Sequence, residues 1–153
     1  MPSMPPLIPM LGSFSAYIDE VYGHFTRSIL TPPIATFRGL PVRPRRTPQY
    51  DNKEFGFWHM TSEGRVEEDR TPDLRRCERI NWIRWMIDNW DHAEVSCWEE
   101  QRDGKTEIVL WLESLEYVVI LAERTGYWVL KTAYLATKSG KIRQLTNSRA
   151  RNT

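Results

Sequence analysis

Cysteine is scarce in this chain: Cys77 and Cys97 are the only two among 153 residues. Two thiols do not make a disulfide framework, so both are expected to be reduced, in a cytoplasmic protein. Histidine is nearly as rare. His24, His59 and His92 form no HExxH pair, and no cysteine pair stands at ligand spacing, so neither a metal nor another cofactor is expected. The eight glycines are scattered, leaving no phosphate-cradling loop, and a GxSxG elbow is missing. Nucleotide hydrolysis and acyl transfer by their usual routes thereby lose their machinery. No apolar run reaches the roughly 18 residues that would suggest a membrane span. The opening MPSMPPLIPMLG has four prolines and no basic residue, unlike a secretory leader. No membrane association is expected.

Acidic residues are missing from one region altogether. None follows Glu123, whereas that stretch carries Arg124, Lys131, Lys138, Lys141, Arg143, Arg149 and Arg151. The part before it holds all 20 carboxylates and fourteen of the 21 cations. A second basic cluster is Arg38, Arg43, Arg45 and Arg46. A polyanion could bind where the two clusters meet, although a solvated, frayed end explains the last five residues as well.

What is present fits one folded domain. Hydrophobic residues make up 41% of the chain and charged residues 27%, ordinary for a globular protein. Seven tryptophans are many for this length; they can build a core from few residues or stack on bases, and core packing is the commoner use. Residues 1–12 read as a Pro-rich arm, 13–145 as a single α+β domain, and 146–153 as a basic tail. Phe14, Tyr17, Ile18, Val21, Tyr22, Phe25 and Ile29 recur at helical spacing, predicting a helix over about 15–30 capped by Ser13 or Ser15 and ended by Pro32-Pro33. Ala35–Arg38 is a candidate short strand, and GLPVRPRRTPQYDNKE reads as a loop. Phe55–Met60 alternates like a strand. An acidic loop follows, and Thr71-Pro72 reads as the start of a helix to about Asn89. Its apolar stripe is Leu74, Cys77, Ile80, Ile83, Ile87 and Trp90; Arg75, Arg79 and Trp82 lie on an adjoining face. Strands over 95–100, 107–112, 117–123 and 127–134, with Asp103-Gly104 as a hairpin turn, predict an antiparallel meander.

RNA cleavage without a metal needs a base for the 2′-hydroxyl, an acid for the leaving oxygen, and cations for the charged transition state. His59 suits a proton role near neutral pH. Arg75 and Arg79 offer bidentate forks to phosphate. Thr132 and Tyr134 share one face of the last long strand, whereas Lys131 shares a pocket with Thr132 only if a bulge intervenes or the site wraps a sheet edge. Each has a plainer role. His59 could be a structural histidine, the arginines could pair with Glu78 or with Glu67-Glu68-Asp69 on a solvated face, and Thr132 and Tyr134 are ordinary strand residues.

The segments FGFWHMTSEG, RTPDLRRCERINWIRWMIDN and YVVILAERTGYWVLKTAY, within residues 35–145, resemble the phage-associated nucleases of the barnase–EndoU–colicin–RelE superfamily. The resemblance implies an α+β fold with helices packed on a four-stranded antiparallel sheet. It implies a metal-independent endoribonuclease, with a toxin or effector role in phage or mobile-element conflict. By position, it implies that His59 is the general acid or base, that Arg75 and Arg79 bind the scissile phosphate, and that Thr132 and Tyr134 orient it. Lys131, Trp82 and Arg38 are then expected to add substrate contacts, with RNA and an antitoxin or immunity protein as partners. The arm and first helix have no counterpart, and the second proton-transfer group is unnamed. The alternative is a non-catalytic RNA- or protein-binding module on the same fold.

Overall fold

The computed structural model describes residues 3–46, 49–50, 53–63 and 71–153, with the backbone alone at 49, 50, 54, 55, 59, 63, 71 and 72. Ser13 caps α1 (Phe14–Phe25), its hydroxyl accepting from the Ala16 amide at 3.2 Å. Tyr17, Ile18, Val21 and Phe25 are buried along one stripe, as their spacing predicts. A π-helical turn, Thr26–Leu30, extends the helix before the prolines. The Pro-rich arm lies against these helices. Ile8 donates its amide to the Glu78 carbonyl at 2.9 Å and accepts from the Tyr17 hydroxyl at 2.7 Å.

The sheet has six strands, not four, and it is mixed, not antiparallel throughout. Its order is β1 (Thr36–Phe37), β2 (Leu40–Pro44), then β10 (Tyr127–Leu135), β9 (Tyr117–Arg124), β8 (Lys105–Leu112) and β7 (Val95–Arg102). The last four form the meander. The expected four-stranded antiparallel sheet is corrected by β2, which runs parallel to β10 with Trp128 opposite Val42 and Leu130 opposite Pro44. The segment LPVRP reads as loop because Pro41 and Pro44 break the strand pattern, and proline in a sheet is normally confined to edges, strand starts and bulges. The sheet curls into a half-barrel. Arg38, at the turn joining β1 and β2, meets Glu99 on β7 at 2.8 Å, so groups at opposite edges of the strand order touch.

Between β2 and β7 lie two short strand pairs, β3 (Gln49–Tyr50) with β4 (Lys53–Glu54) and β5 (Ser62–Glu63) with β6 (Thr71–Pro72). Phe55–Thr61 is a helix, α2, not the strand its alternation suggested. Phe57 and Met60 are buried at helical spacing, and Phe57 packs edge-on against Tyr22 at 5.0 Å and Phe25 at 5.4 Å. Over six residues, alternation and helical spacing overlap, and the packing partners decide. The expected helix to Asn89 is two helices. Asp73, not Thr71, caps α3 (Leu74–Glu78), and Arg79 to Asn81 break the helix before α4 (Trp82–Asp88).

The two faces of the sheet carry different loads. Helices α1 to α4 cover the inner face over Ile108, Leu110, Leu112, Tyr117, Val119, Leu121, Trp128 and Leu130. The outer face carries a smaller cluster of Trp98, Val109, Trp111, Val118, Ala136 and Leu145. Leu145 belongs to α5 (Ser139–Asn152), so the stretch read as a basic tail from residue 146 forms the second half of a packed helix. Trp98 pins α5 by donating its indole N–H to Ser148 Oγ at 3.0 Å.

Candidate functional site

Strand β10 positions most of the candidate site. Alternation puts Trp128 and Leu130 on the inner face, but further along Ala133 occupies it. The change of parity comes from a bulge: Leu130 pairs with Leu121, while Thr132, two residues on, pairs with the next residue, Ile120. The extra residue is Lys131. Its ammonium is hydrogen-bonded to the buried carboxylate of Glu107, 5% exposed, which Arg102 also approaches at 3.7 Å. The bulge therefore turns Lys131 and Thr132 into one cavity of about 330 Å³, shared with Arg45, Arg102, Asp103, Lys105, Glu107 and Arg124.

This cavity is one of four that adjoin along β10. At the start of the strand, Arg43, Arg45, Arg46, Lys105, Arg124 and Tyr127 line a hollow of about 680 Å³. Beyond the bulge, Tyr134 faces α5 in a cavity of about 350 Å³ with Glu100, Arg102, Lys141 and Arg151. At the far end, Arg75, Arg76, Tyr134, Lys138 and Lys141 line about 270 Å³ with Asp73. Neighbouring cavities share lining residues, Arg102 alone in the case of the middle pair, so they lie in one row along β10. Nine strand residues at about 3.3 Å each give it a length of about 30 Å. Among the described residues, the carboxylates lining it are Asp73, Glu100, Asp103 and Glu107, far outnumbered by arginine and lysine. The basic cluster of residues 43–46 and the basic C-terminal stretch thus meet, on the outer face.

The residues expected to form a catalytic site divide. Arg75 and Tyr134 line the same cavity. The Tyr134 hydroxyl is buried with no partner among the described residues; burial pushes its pKa up to about 12, opposed by Arg102 and Arg76. Lys141 lies over the Tyr134 ring at 5.1 Å, and burial, with Arg102 and Lys131 nearby, lowers its pKa. Thr132 is one cavity along.

Arg79 is not with them. It sits past the end of α3 and is held locally, its Nη1 donating to the Arg75 carbonyl at 3.1 Å and its guanidinium lying 5.1 Å from the Trp82 ring centroid. Arg76 takes the place assigned to it. Arg76 donates to the Ser62 carbonyl at 2.8 Å and lies 3.5 Å from Asp73 while lining the cavity. Trp82 is a core residue, 7% exposed, with its indole N–H on the Pro5 carbonyl and its ring edge-on to Tyr117. It has no face open for a base. Arg38 is engaged with Glu99 at the sheet edges and lines none of the four cavities. The imidazole of His59 and the carboxylates of residues 67–69 lie outside the described side chains; the backbone of His59 belongs to α2, which packs on β10 and α3. Among the described residues no cluster of metal-ligating side chains occurs, and no helix is long and apolar enough to cross a membrane.

Arg102 and Lys105 escaped the reading of the sequence, yet a signal for them exists. In a meander, alternate turns lie at the same end of the sheet. The cations flanking Asp103-Gly104 therefore share an end with Arg124 beside the turn at Thr125-Gly126. Arg76 is held at the cavity by its contacts with Ser62 and Asp73, which spacing along the helix does not show. No family model, curated protein or solved structure matches the chain.

Proposed function

We propose that the protein binds single-stranded RNA along the groove that follows β10. The observation that carries this is the row of four adjoining cavities, whose cations come from β2, β7, β8, β9, β10, α3 and α5. A flexible polyanion matches such a track better than a compact anion does, because its charges are spread over the same length. Tyr127 and Tyr134 supply aromatic rings in the lining, suited to contact with bases. RNA, in place of another polyanion, is what the resemblance to phage-associated nucleases supports, and on this reading the protein works in the cytoplasm. Titration of the full chain with fluorescent single-stranded RNA, in EDTA and over a range of salt, tests it. The expected log–log slope is about −0.7 for each phosphate contacted. Affinity that is absent, or indifferent to salt, rejects it.

Cleavage of the bound strand is a second reading, favoured by the convergence of Arg75 and Tyr134 on one cavity. A guanidinium fork and a phenol that keeps its proton could hold and protonate a phosphodiester. His59 is the remaining proton-transfer candidate, and a dedicated inhibitor protein belongs to this reading alone. Incubation with RNA in EDTA, beside His59→Ala and Tyr134→Phe, separates binding from cleavage. RNA bound but left intact by the unaltered protein refutes the cleavage reading.

A further inference from the structure

The cavity at the start of β10 concentrates more positive charge than an internal phosphate needs. Arg43, Arg45, Arg46, Lys105 and Arg124 line it with Tyr127, and among the described residues no carboxylate does. Its three neighbours along the groove each contain at least one, Asp73, Glu100, or Asp103 with Glu107. It is also the end of the track, sharing residues with the cavity around Lys131 and with neither of the other two.

We propose that this cavity takes the phosphorylated end of the bound strand, a phosphomonoester or an oligophosphate. The inference rests on the strand-binding reading above and names the class of strand. An internal phosphodiester carries one negative charge. A phosphomonoester carries about −1.5 to −2 near neutral pH, and an oligophosphate more. Gathering Arg43, Arg46, Lys105 and Arg124 in one cavity costs self-repulsion that a multiply charged group relieves best.

The scaffold holds the cations in place. Lys105 and Arg124 flank the two turns at one end of the meander. Arg43 lies over Tyr127, its guanidinium carbon 5.6 Å from the ring centroid, which orients a planar fork with little loss of freedom on binding. The segment after Pro44 is clamped by α2, where the Gly56 amide donates to the Arg45 carbonyl at 2.6 Å.

Two measurements test the proposal on the full chain. The first is calorimetric titration with inorganic tripolyphosphate, on the parent and on Lys105→Ala/Arg124→Ala; both side chains are on exposed residues, and a thermal melt checks folding. The second compares one RNA sequence bearing 5′-hydroxyl, 5′-phosphate, 5′-triphosphate or 3′-phosphate ends. Tripolyphosphate is expected to bind at one site and to weaken at least about tenfold in the double variant. RNA carrying phosphate at the recognised end should bind about tenfold tighter than hydroxyl-ended RNA, and the arm that gains shows whether that end is 5′ or 3′. Tripolyphosphate that does not bind, or binds the double variant equally well, overturns the proposal. Equal affinity for all four RNA ends also overturns it, while leaving strand binding intact. Binding of triphosphate-ended but not hydroxyl-ended RNA supports the terminal pocket and rejects the longer groove.

Discussion

The inner and outer faces of the sheet use the same strands for opposite purposes. Along β8, Ile108, Leu110 and Leu112 enter a core sealed by four helices, while Glu107, Val109 and Trp111 face outward. The inner face is buried and made largely of rings and branched chains. The outer face is covered by α5 at one end of the sheet only, and the remainder is lined by cations. Each face answers a different physical demand: removing apolar surface from water on one side, and presenting an excess of positive charge to it on the other. Perturbations should therefore separate cleanly into those that unfold the protein and those that weaken its binding.

The largest effect is expected from Phe57→Ala on the inner face. Phe57 is fully buried against Tyr22, Phe25 and Trp58, and its loss should cost about 3–5 kcal/mol in chemical denaturation, with RNA affinity unchanged wherever the variant is still folded. A change in affinity at full folding would break the separation of the faces.

Gly56→Ala comes next, because it acts where the faces join. A Cβ there would sit 2.7 Å from Pro44 Cβ and 2.8 Å from the Arg45 nitrogen. The gain in helix propensity from alanine, about 1 kcal/mol, is outweighed because backbone cannot swing aside as a side chain can. A net loss of about 1–3 kcal/mol is expected, together with weaker RNA binding as the segment carrying Arg45 and Arg46 shifts. Unchanged stability would show that α2 and this segment are less firmly joined than their hydrogen bond indicates.

Lys131→Ala should cost less, about 1 kcal/mol, because Lys131 is itself partly exposed, yet it leaves the buried Glu107 without its nearest cation. Lys131→Ala/Glu107→Gln should recover most of that stability but not the RNA affinity, as measured by melting and by anisotropy.

Tyr134→Phe should be nearly neutral for folding, within about 0.5 kcal/mol, since the hydroxyl has no partner among the described residues. Its titration sharpens the comparison. Tyr17 and Tyr117 on the inner side and Tyr134 on the outer all have raised pKa values, each chiefly through burial. A folded phenol that holds its proton while the unfolded one releases it near pH 10 stabilises the fold fully below that pH, and this is lost as pH rises through the folded value. Stability should thus fall above about pH 10, and ultraviolet titration should show Tyr134 ionising near 12, ahead of Tyr17 and Tyr117. Loss of the step near 12 in Tyr134→Phe identifies it; an unchanged titration curve assigns the step elsewhere.

Much of the chain was legible in its residue pattern. Ser13 as a cap, the stripe from Tyr17 to Phe25, the Asp103-Gly104 turn and the four strands of the meander each follow from contacts between near neighbours. Short or disguised elements were not. The prolines of LPVRP concealed β2, and with it the parallel pairing that widens the sheet and brings Arg43 and Arg45 beside β10. Phe55–Met60 suited two periodicities. The break at Arg79 carried one arginine out of the groove and left Arg76 in it.

Local propensity and hydrophobic spacing, acting over a few residues, determined by themselves that this chain has an α1-like helix, an antiparallel meander and a basic C-terminal stretch. Which cations share a groove was decided only in three dimensions, by a parallel strand pair, by one extra residue at Lys131 and by a helix break. Each of these sets direction and register between segments remote in the chain, and such long-range geometry leaves no periodic trace in the order of the amino acids.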